Sequence, residues 1–207
     1  MRINFESRIF NVMSEAFDCV TLAFYWMVCS IPVVTAGAAT TAILSVMLDV
    51  DRETGSVTKR FFRAFKSNFK LSTLVWATFL ALGSLLAADV YICWGGSLSG
   101  KAEEYLRIST VMIGVAYFMA LGIAFGVIAK FDVSYKQVFY NVLVITVQNL
   151  KWAVLLMILA AAVIASIVFL SALGFITAAL FFYLQSKVCD VVFKAYIPGG
   201  EMKAIEE

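Results

Sequence analysis

Four long stretches of this chain are apolar and almost free of charge. A helix needs about 20 apolar residues to cross a hydrocarbon core of about 30 Å, and these stretches reach that length, at residues 71–94, 106–129, 152–171 and 172–192. Across the whole chain, 62% of residues are hydrophobic, only 14% are charged, and the mean hydropathy is +0.92. A soluble domain needs more charge to cover its surface. The sequence therefore predicts an all-α integral membrane protein that forms a single polytopic domain.

The region before the first long stretch holds two shorter apolar runs. They cover residues 16–31 and 33–48, and Pro32 separates them. Proline removes a backbone donor and restricts the residue before it, so a helix breaks or kinks at such a position. The two runs are therefore either two short helices or one long kinked helix.

The distribution of basic residues favours two short helices. Short cytoplasmic loops of membrane proteins are enriched in Lys and Arg. Residues 49–70 hold six basic side chains, residues 130–151 hold three, and the tail from Lys187 holds three, whereas the two in residues 95–107 are offset by two glutamates. We therefore expect the first three segments to be cytoplasmic, together with the N-terminus, which carries Arg2 and Arg8. Two cytoplasmic ends require an even number of crossings, so the prediction is six membrane spans.

Two further segments, residues 1–15 and 56–70, are predicted to be amphipathic helices at the membrane interface, because bulky apolar residues recur in them at helical spacing. The basic residues of the second segment fall largely on its other faces; they are Lys59, Arg60, Arg63, Lys66 and Lys70. Such a cytoplasmic surface suits anionic lipid head groups or a partner protein. An ordinary surface helix that packs on the bundle explains the same pattern. Residues 193–207 are expected to form a cytoplasmic tail.

Residues 32–41 combine a helix break with small and hydroxyl-bearing side chains. The candidate binding residues in this segment are Pro32, Thr35, Gly37, Thr40 and Thr41. Exposed backbone at a discontinuous helix can bind a solute or an ion, as in broken-helix transporters. The alternative is a tight turn whose small residues let helices pack closely and whose hydroxyls satisfy the freed backbone groups.

Asp89 is the acidic residue that most resembles a functional group. It lies within an otherwise apolar stretch, about five residues before the end of that stretch. An ionisable side chain inside a membrane is costly, which makes it a functional hypothesis by default. A binding role in transport is one interpretation of Asp89. Contact with interfacial water, or pairing with Lys101 or Arg107, explains its position equally well.

The absence of histidine from the sequence restricts the possible chemistry. It excludes a Ser-His-Asp triad and makes a metal site improbable. No complete Gly-x-x-x-x-Gly-Lys-Ser/Thr phosphate-binding motif occurs, because Ala102 follows Gly100-Lys101 where the motif requires Ser or Thr, and a net charge of only +2 argues against a nucleic-acid binder. We therefore expect a protein that is not an enzyme, uses no cofactor or metal and binds no nucleic acid. The sequence leaves homo-oligomerisation open.

Two motifs in the first half of the chain carry a family resemblance. Residues 31–40 read Ile-Pro-Val-Val-Thr-Ala-Gly-Ala-Ala-Thr, and residues 61–72 read Phe-Phe-Arg-Ala-Phe-Lys-Ser-Asn-Phe-Lys-Leu-Ser. Through these motifs the sequence resembles the YesL family, small multi-pass membrane proteins of mainly Gram-positive bacteria with a domain of unknown function. The resemblance is good over about residues 10–80, except that Ala38 stands where the family often has proline, and later residues match only in span pattern.

The resemblance implies a role but no catalytic residues. Family members look like neighbours of carbohydrate ABC transporters and their sensor kinases. This context implies an accessory or regulatory role in sugar uptake at the bacterial plasma membrane, with transporter or sensor kinase subunits as partners. A small solute transporter or channel, with its site at the broken helix of residues 32–41, is the alternative function.

Overall fold

The computed structural model describes residues 5–48, 55–95, 101–169, 174–194 and 196, and every regular element in these ranges is a helix. The α-helices are α1 (Phe5–Ser30), α2 (Ala36–Met47), α3 (Val57–Trp94), α4 (Lys101–Lys130), α5 (Tyr135–Gln148), α6 (Leu150–Phe169) and α7 (Gly174–Lys194). A 3-10 turn at Val33–Thr35 precedes α2. The predicted all-α fold class is confirmed.

Helix α2 lies at the centre of the helix bundle. Nine of its twelve residues are buried, and it packs against α1, α3, α4 and α7. Its sequence is rich in Ala, Gly, Ser and Thr, so neighbouring helices can approach it closely on several sides. At 1.5 Å per residue α2 is about 18 Å long, well short of a hydrocarbon core of about 30 Å.

Helix α3 is one uninterrupted helix of 38 residues. No Pro or Gly occurs between Gly55 and Gly83 to break it. The interfacial helix expected at 56–70 and the span expected at 71–94 are therefore parts of a single element, and the prediction of a separate interfacial helix is wrong. With a length of about 57 Å, α3 is nearly twice as long as a hydrocarbon core is thick. Its basic first half therefore extends beyond the span.

Helices α3 and α4 run antiparallel and are held together by aromatic contacts. The hydroxyl of Tyr117 donates a hydrogen bond to the carbonyl of Phe79 at 2.9 Å, and the two rings meet edge to face with centroids 5.7 Å apart. One turn earlier on α3, the ring of Trp76 lies 6.0 Å from that of Phe125. These contacts fix the register between the two helices.

Helix α7 packs against α4 where α4 carries small residues. The side-chain amide of Gln185 donates to the carbonyl of Gly122 at 2.8 Å. A Cβ atom at Gly126 would lie only 2.8 Å from the Sγ of Cys189. Glycine at this position therefore allows the two helices to approach each other within one chain.

Helix α5 meets α6 at an angle of 101°. Its start is fixed by a capping box, in which the backbone N–H of Ser134 donates to the Oε1 of Gln137 at 2.8 Å. The exposed face of α5 carries apolar residues at helical spacing, namely Tyr140, Leu143 and Val147. An exposed apolar face of this kind suits contact with lipid.

Three of the described helical segments are long and apolar enough to cross a membrane: Val57–Trp94, Glu104–Lys130 and Ile176–Lys194. The bent pair of α5 and α6 raises the number to four if it is counted as one span. The structure therefore supports a membrane protein, but the six spans expected from the sequence are too many.

The two predicted spans that the structure does not support are the first two, which lie before α3. The short span expected at 16–31 and the interfacial helix expected at 1–15 are, from Phe5 onward, the single helix α1, which carries Glu15 and Asp18. The span expected at 33–48 is the short, buried α2 with its 3-10 turn. The spans expected at 106–129, 152–171 and 172–192 correspond to α4, α6 and α7 within a few residues. Most of the expected tail, 193–207, lies outside the described residues.

Candidate functional site

The helical structure is interrupted between α1 and α2, as the proline motif predicts. Pro32 has an extended conformation with φ −74° and ψ 113°, and the 3-10 turn follows it directly. The hydroxyl of Thr35 donates to the carbonyl of Cys29 at 2.6 Å and to that of Pro32 at 2.8 Å. The break is thus a turn between two helices, and its own threonine satisfies carbonyl groups that the break has freed.

The other two threonines of the segment also form their hydrogen bonds inside the protein. Thr40 donates to the carbonyl of the preceding turn at 2.8 Å and accepts a hydrogen bond from the indole N–H of Trp26 at 3.0 Å. Thr41 donates in the same way at 3.1 Å and accepts from the hydroxyl of Ser72 at 2.8 Å. All three hydroxyl protons of the segment therefore point to backbone carbonyl groups of the same chain.

Gly37 marks the closest approach of α2 to α3. A Cβ atom at this position would lie 2.5 Å from the Cβ of Trp76 and 2.9 Å from the carbonyl oxygen of Ser72. The indole N–H of Trp76 in turn donates to the carbonyl of Val33 at 2.7 Å. These contacts match the packing interpretation of residues 32–41. We call the contact of this segment with Ser72 and Trp76 the α2–α3 joint.

Asp89 lies near the other end of α3, next to α4. The hydroxyl of Thr110 donates to its Oδ2, and the thiol of Cys93 lies 4.0 Å from its Oδ1. Arg107 donates from Nε to the carbonyl of Cys93 at 3.0 Å, and its guanidinium lies 5.5 Å from the centre of the Trp94 ring. The carboxylate of Asp89 therefore contacts the hydroxyl of Thr110. The sequence had suggested Arg107 as one possible partner.

The candidate residues do not come together in one site. Trp76 at the α2–α3 joint and Asp89 are thirteen residues apart on α3, which corresponds to about 20 Å along the helix axis. The side chain of Lys101, the other expected partner of Asp89, lies outside the described residues. Sequence reasoning missed Thr110, because its pairing with Asp89 depends on the register between α3 and α4.

A groove of about 570 Å³ lies between α3, α4 and α5, and Asp89 lines it. Its lining is otherwise almost entirely aliphatic and aromatic, with Leu82, Leu85 and Leu86 from α3, Ile113, Ala116 and Ala120 from α4, and Phe139 and Leu143 from α5. Apolar clefts of about 300–1,000 Å³ with a few polar groups are typical ligand sites. Sequence reasoning did not predict this groove, because three separate helices form it.

The first half of α3 carries an exposed basic stripe, formed by Lys59, Arg63, Lys66 and Lys70. Their spacing of i, i+4, i+7 and i+11 places all four on one face of the helix. The fifth predicted basic residue, Arg60, is half-buried, and its Nη2 donates to the carbonyl of Val46 in α2 at 3.4 Å. Arg60 therefore contributes to packing, and the other four form what we call the basic stripe.

The opposite face of this half of α3 packs on the protein. Phe61 is fully buried, and its ring lies 5.7 Å from that of Tyr25 in α1. The hydroxyls of Tyr25 and Thr58 share a hydrogen bond at 3.1 Å. The structure thus matches the alternative interpretation of this segment, a surface helix that leans on the bundle. Phe62 and Phe69 are exposed beside the basic stripe.

No cluster of three or more His, Cys, Asp or Glu side chains that could hold a metal ion occurs within the described ranges. The cysteines there, Cys19, Cys29, Cys93 and Cys189, are free thiols. Two features of the described residues that offer room or charge for a binding partner are the groove and the basic stripe.

Comparison with known proteins identifies the first part of the chain. A family model described as "Protein of unknown function, DUF624" matches residues 19–90. No curated protein and no solved structure matches the chain. The matched segment runs from α1 into the last turns of α3, so it contains both sequence motifs, the α2–α3 joint, the basic stripe and Asp89. The match confirms the resemblance to the YesL family, which is the DUF624 family, over residues 19–90.

Proposed function

We propose that this chain is a non-catalytic, multi-pass protein of the bacterial plasma membrane that acts as an accessory or regulatory partner of a transport or sensor system. The basic stripe of α3 is the element that docks on this partner. The family resemblance suggests that the system is a carbohydrate ABC transporter with its sensor kinase.

The observation that carries this proposal is the difference between the two faces of the first half of α3. Phe61 on one face is buried against the bundle, whereas the four cations of the basic stripe are exposed on the other. The stripe extends over about 16 Å of helix and attracts acidic protein surfaces or anionic head groups. Phe62 and Phe69 add exposed aromatic area, which is enriched in the cores of protein interfaces.

The proposed topology places the basic half of α3 in the cytoplasm, following the positive-inside rule. Four crossings by α3, α4, α6 and α7 then return the end of α7 to the cytoplasm. The N-terminus is assigned to the same side because it carries Arg2 and Arg8. The C-terminal part of α1 and the end of α2 contact the basic half of α3 through the Tyr25–Thr58 and Arg60–Val46 hydrogen bonds.

Solute transport at residues 32–41, the alternative function, has less support. The hydroxyls of Thr35, Thr40 and Thr41 all donate to backbone carbonyls. The space in front of Gly37 is filled by Trp76 and the backbone of α3. A solute site at this segment would require the α2–α3 joint to open.

The proposal is tested by recovering partners from native membranes with the full-length tagged protein. Two double charge reversals are compared. Lys59→Glu with Lys66→Glu alters the basic stripe, and Lys136→Glu with Lys151→Glu changes two exposed lysines elsewhere by the same net charge. Membranes are solubilised in mild detergent, and co-purified proteins are quantified by isotope-labelled mass spectrometry. Thermal unfolding of each purified variant checks that it is folded.

We expect the wild type and the control variant to recover ABC-transporter or sensor-kinase subunits at a fixed ratio. The stripe variant should recover about tenfold less, which corresponds to a loss of 1.4 kcal/mol in binding free energy. Equal recovery by both variants would show that the stripe is not the docking element. Recovery of the protein alone, without any partner subunit, would contradict the accessory role itself.

A further inference from the structure

The groove between α3, α4 and α5 combines a hydrocarbon-lined cleft with one acidic group. Its α3 wall runs from Phe79 to Asp89, a distance of about 15 Å along the helix. Leu85, Ile113 and Leu143 line the groove and are also exposed on the outer surface of the protein, so the groove is accessible from the side. This shape suits an amphiphile that enters laterally from a bilayer.

Asp89 has acceptor capacity that the protein does not use. An ionised carboxylate offers two oxygens with about four positions for hydrogen bonds. In the described part of the chain, Asp89 accepts one hydroxyl hydrogen bond, from Thr110, and has a longer contact with the thiol of Cys93. A carboxylate within a membrane span is costly when it is incompletely satisfied. A donor bound in the groove would therefore stabilise it.

The depth and charge of Asp89 restrict the head group of the occupant. Asp89 lies five residues before Trp94, the last residue of α3, which is about 7 Å along the axis. Exposed tryptophan at the end of a span marks the level of the head groups, so Asp89 lies below the phosphates of the bilayer. Its negative charge also repels phosphate. The matching head group is therefore small and uncharged, and it carries a hydroxyl.

We propose that the groove binds one chain of a diacylglycerol-type lipid, whose free hydroxyl donates a hydrogen bond to Asp89. A single hydrocarbon chain fits a groove of about 570 Å³. The site is independent of the basic stripe, because it lies near the opposite end of α3.

The test measures lipid binding to the purified full-length protein in detergent micelles by native mass spectrometry. The probes are dioleoylglycerol and dioleoylphosphatidylglycerol, which share their acyl chains and differ in the head group. Ala116→Trp fills the groove, and Ala87→Trp adds the same bulk at an exposed position of α3 outside it. Asp89→Asn removes the charge but keeps an oxygen acceptor for Thr110. Thermal unfolding shows whether each variant is folded.

We expect one saturable dioleoylglycerol site in the wild type and in Ala87→Trp. Its affinity should fall about tenfold in Ala116→Trp, as expected when about 1.4 kcal/mol of binding free energy is lost. Asp89→Asn should weaken dioleoylglycerol severalfold and strengthen dioleoylphosphatidylglycerol, because the repulsion of its phosphate is gone.

Three results would overturn the proposal. The first is equal binding of both lipids to the wild type. The second is a loss of binding in Ala87→Trp that matches the loss in Ala116→Trp, which would indicate non-specific adsorption. The third is a photo-crosslink from position Leu85 to a co-purified protein that dioleoylglycerol does not displace, which would assign the groove to a partner subunit.

Discussion

Replacing Gly37 by alanine tests the α2–α3 joint at its closest contact. The new Cβ would lie 2.5 Å from the Cβ of Trp76 and 2.9 Å from the carbonyl oxygen of Ser72. Both atoms belong to the rigid part of α3, so no side-chain rotation relieves the overlap. Helices α2 and α3 must move apart instead.

The size of the effect follows from three contributions. Overpacking costs about 1–3 kcal/mol. Separation of the helices also weakens the hydrogen bonds from Trp76 to Val33 and from Ser72 to Thr41, each worth about 1 kcal/mol. Alanine offsets up to about 1 kcal/mol through its helix propensity. The expected net loss of unfolding free energy is about 2–3 kcal/mol, which lowers the Tm of a chain of this length by about 4–12 °C.

Gly114→Ala is the matched control, because nothing lies within 4 Å of a Cβ at that position. It makes the same chemical change in a helix, so only helix propensity should act, and its Tm should equal or slightly exceed that of the wild type. Thermal unfolding of both variants in one detergent is followed by circular dichroism and tryptophan fluorescence. A Gly37→Ala protein that melts with or above the wild type would refute the close packing of this joint.

Two further contacts give predictions of smaller size. Thr110→Val keeps the shape of the side chain but removes the hydroxyl that donates to Asp89, so the free energy of unfolding should fall by about 1–2 kcal/mol. Thr110→Ser keeps the hydroxyl and should keep the stability of the wild type. Equal stability of all three proteins would show that this hydrogen bond contributes nothing. Gly126→Ala places a Cβ 2.8 Å from the Sγ of Cys189 and should cost about 1 kcal/mol. Adding Cys189→Ala to Gly126→Ala should recover part of that loss. If the effects of the two substitutions on the free energy of unfolding were strictly additive, positions 126 and 189 would not be in direct contact.

The local chemistry of the sequence predicted the break at Pro32 and the positions of the later helices well. Proline breaks or kinks a helix interior, and charged residues lie at both ends of α4 and at the end of α7. The continuity of α3 was also available from the sequence, since no helix breaker separates the basic residues from the apolar stretch that follows. The pattern changes from amphipathic in residues 56–70 to apolar in residues 71–94. This change suggested two helices, whereas the structure has one.

The number of spans and the layout of the site depend on tertiary contacts that hydropathy does not report. A lipid-facing helix and a protein-buried helix are equally apolar, so the composition of α2 could not show that it is surrounded by other helices. The available signal was the length of the apolar run at residues 33–48, which is sixteen residues and so shorter than a typical membrane span. The pairing of Asp89 with Thr110, and the groove beside it, require the register of α3 against α4, which no single segment encodes.

The continuity of α3 has a mechanical consequence. A helix without a proline or a flexible joint transmits tilt from one end to the other as a lever. If the membrane half of α3 tilts by about 10°, the far end of its basic half, about 25 Å beyond the span, swings by about 4 Å. A change in what contacts the apolar half of α3 is thereby converted into a displacement of the basic stripe.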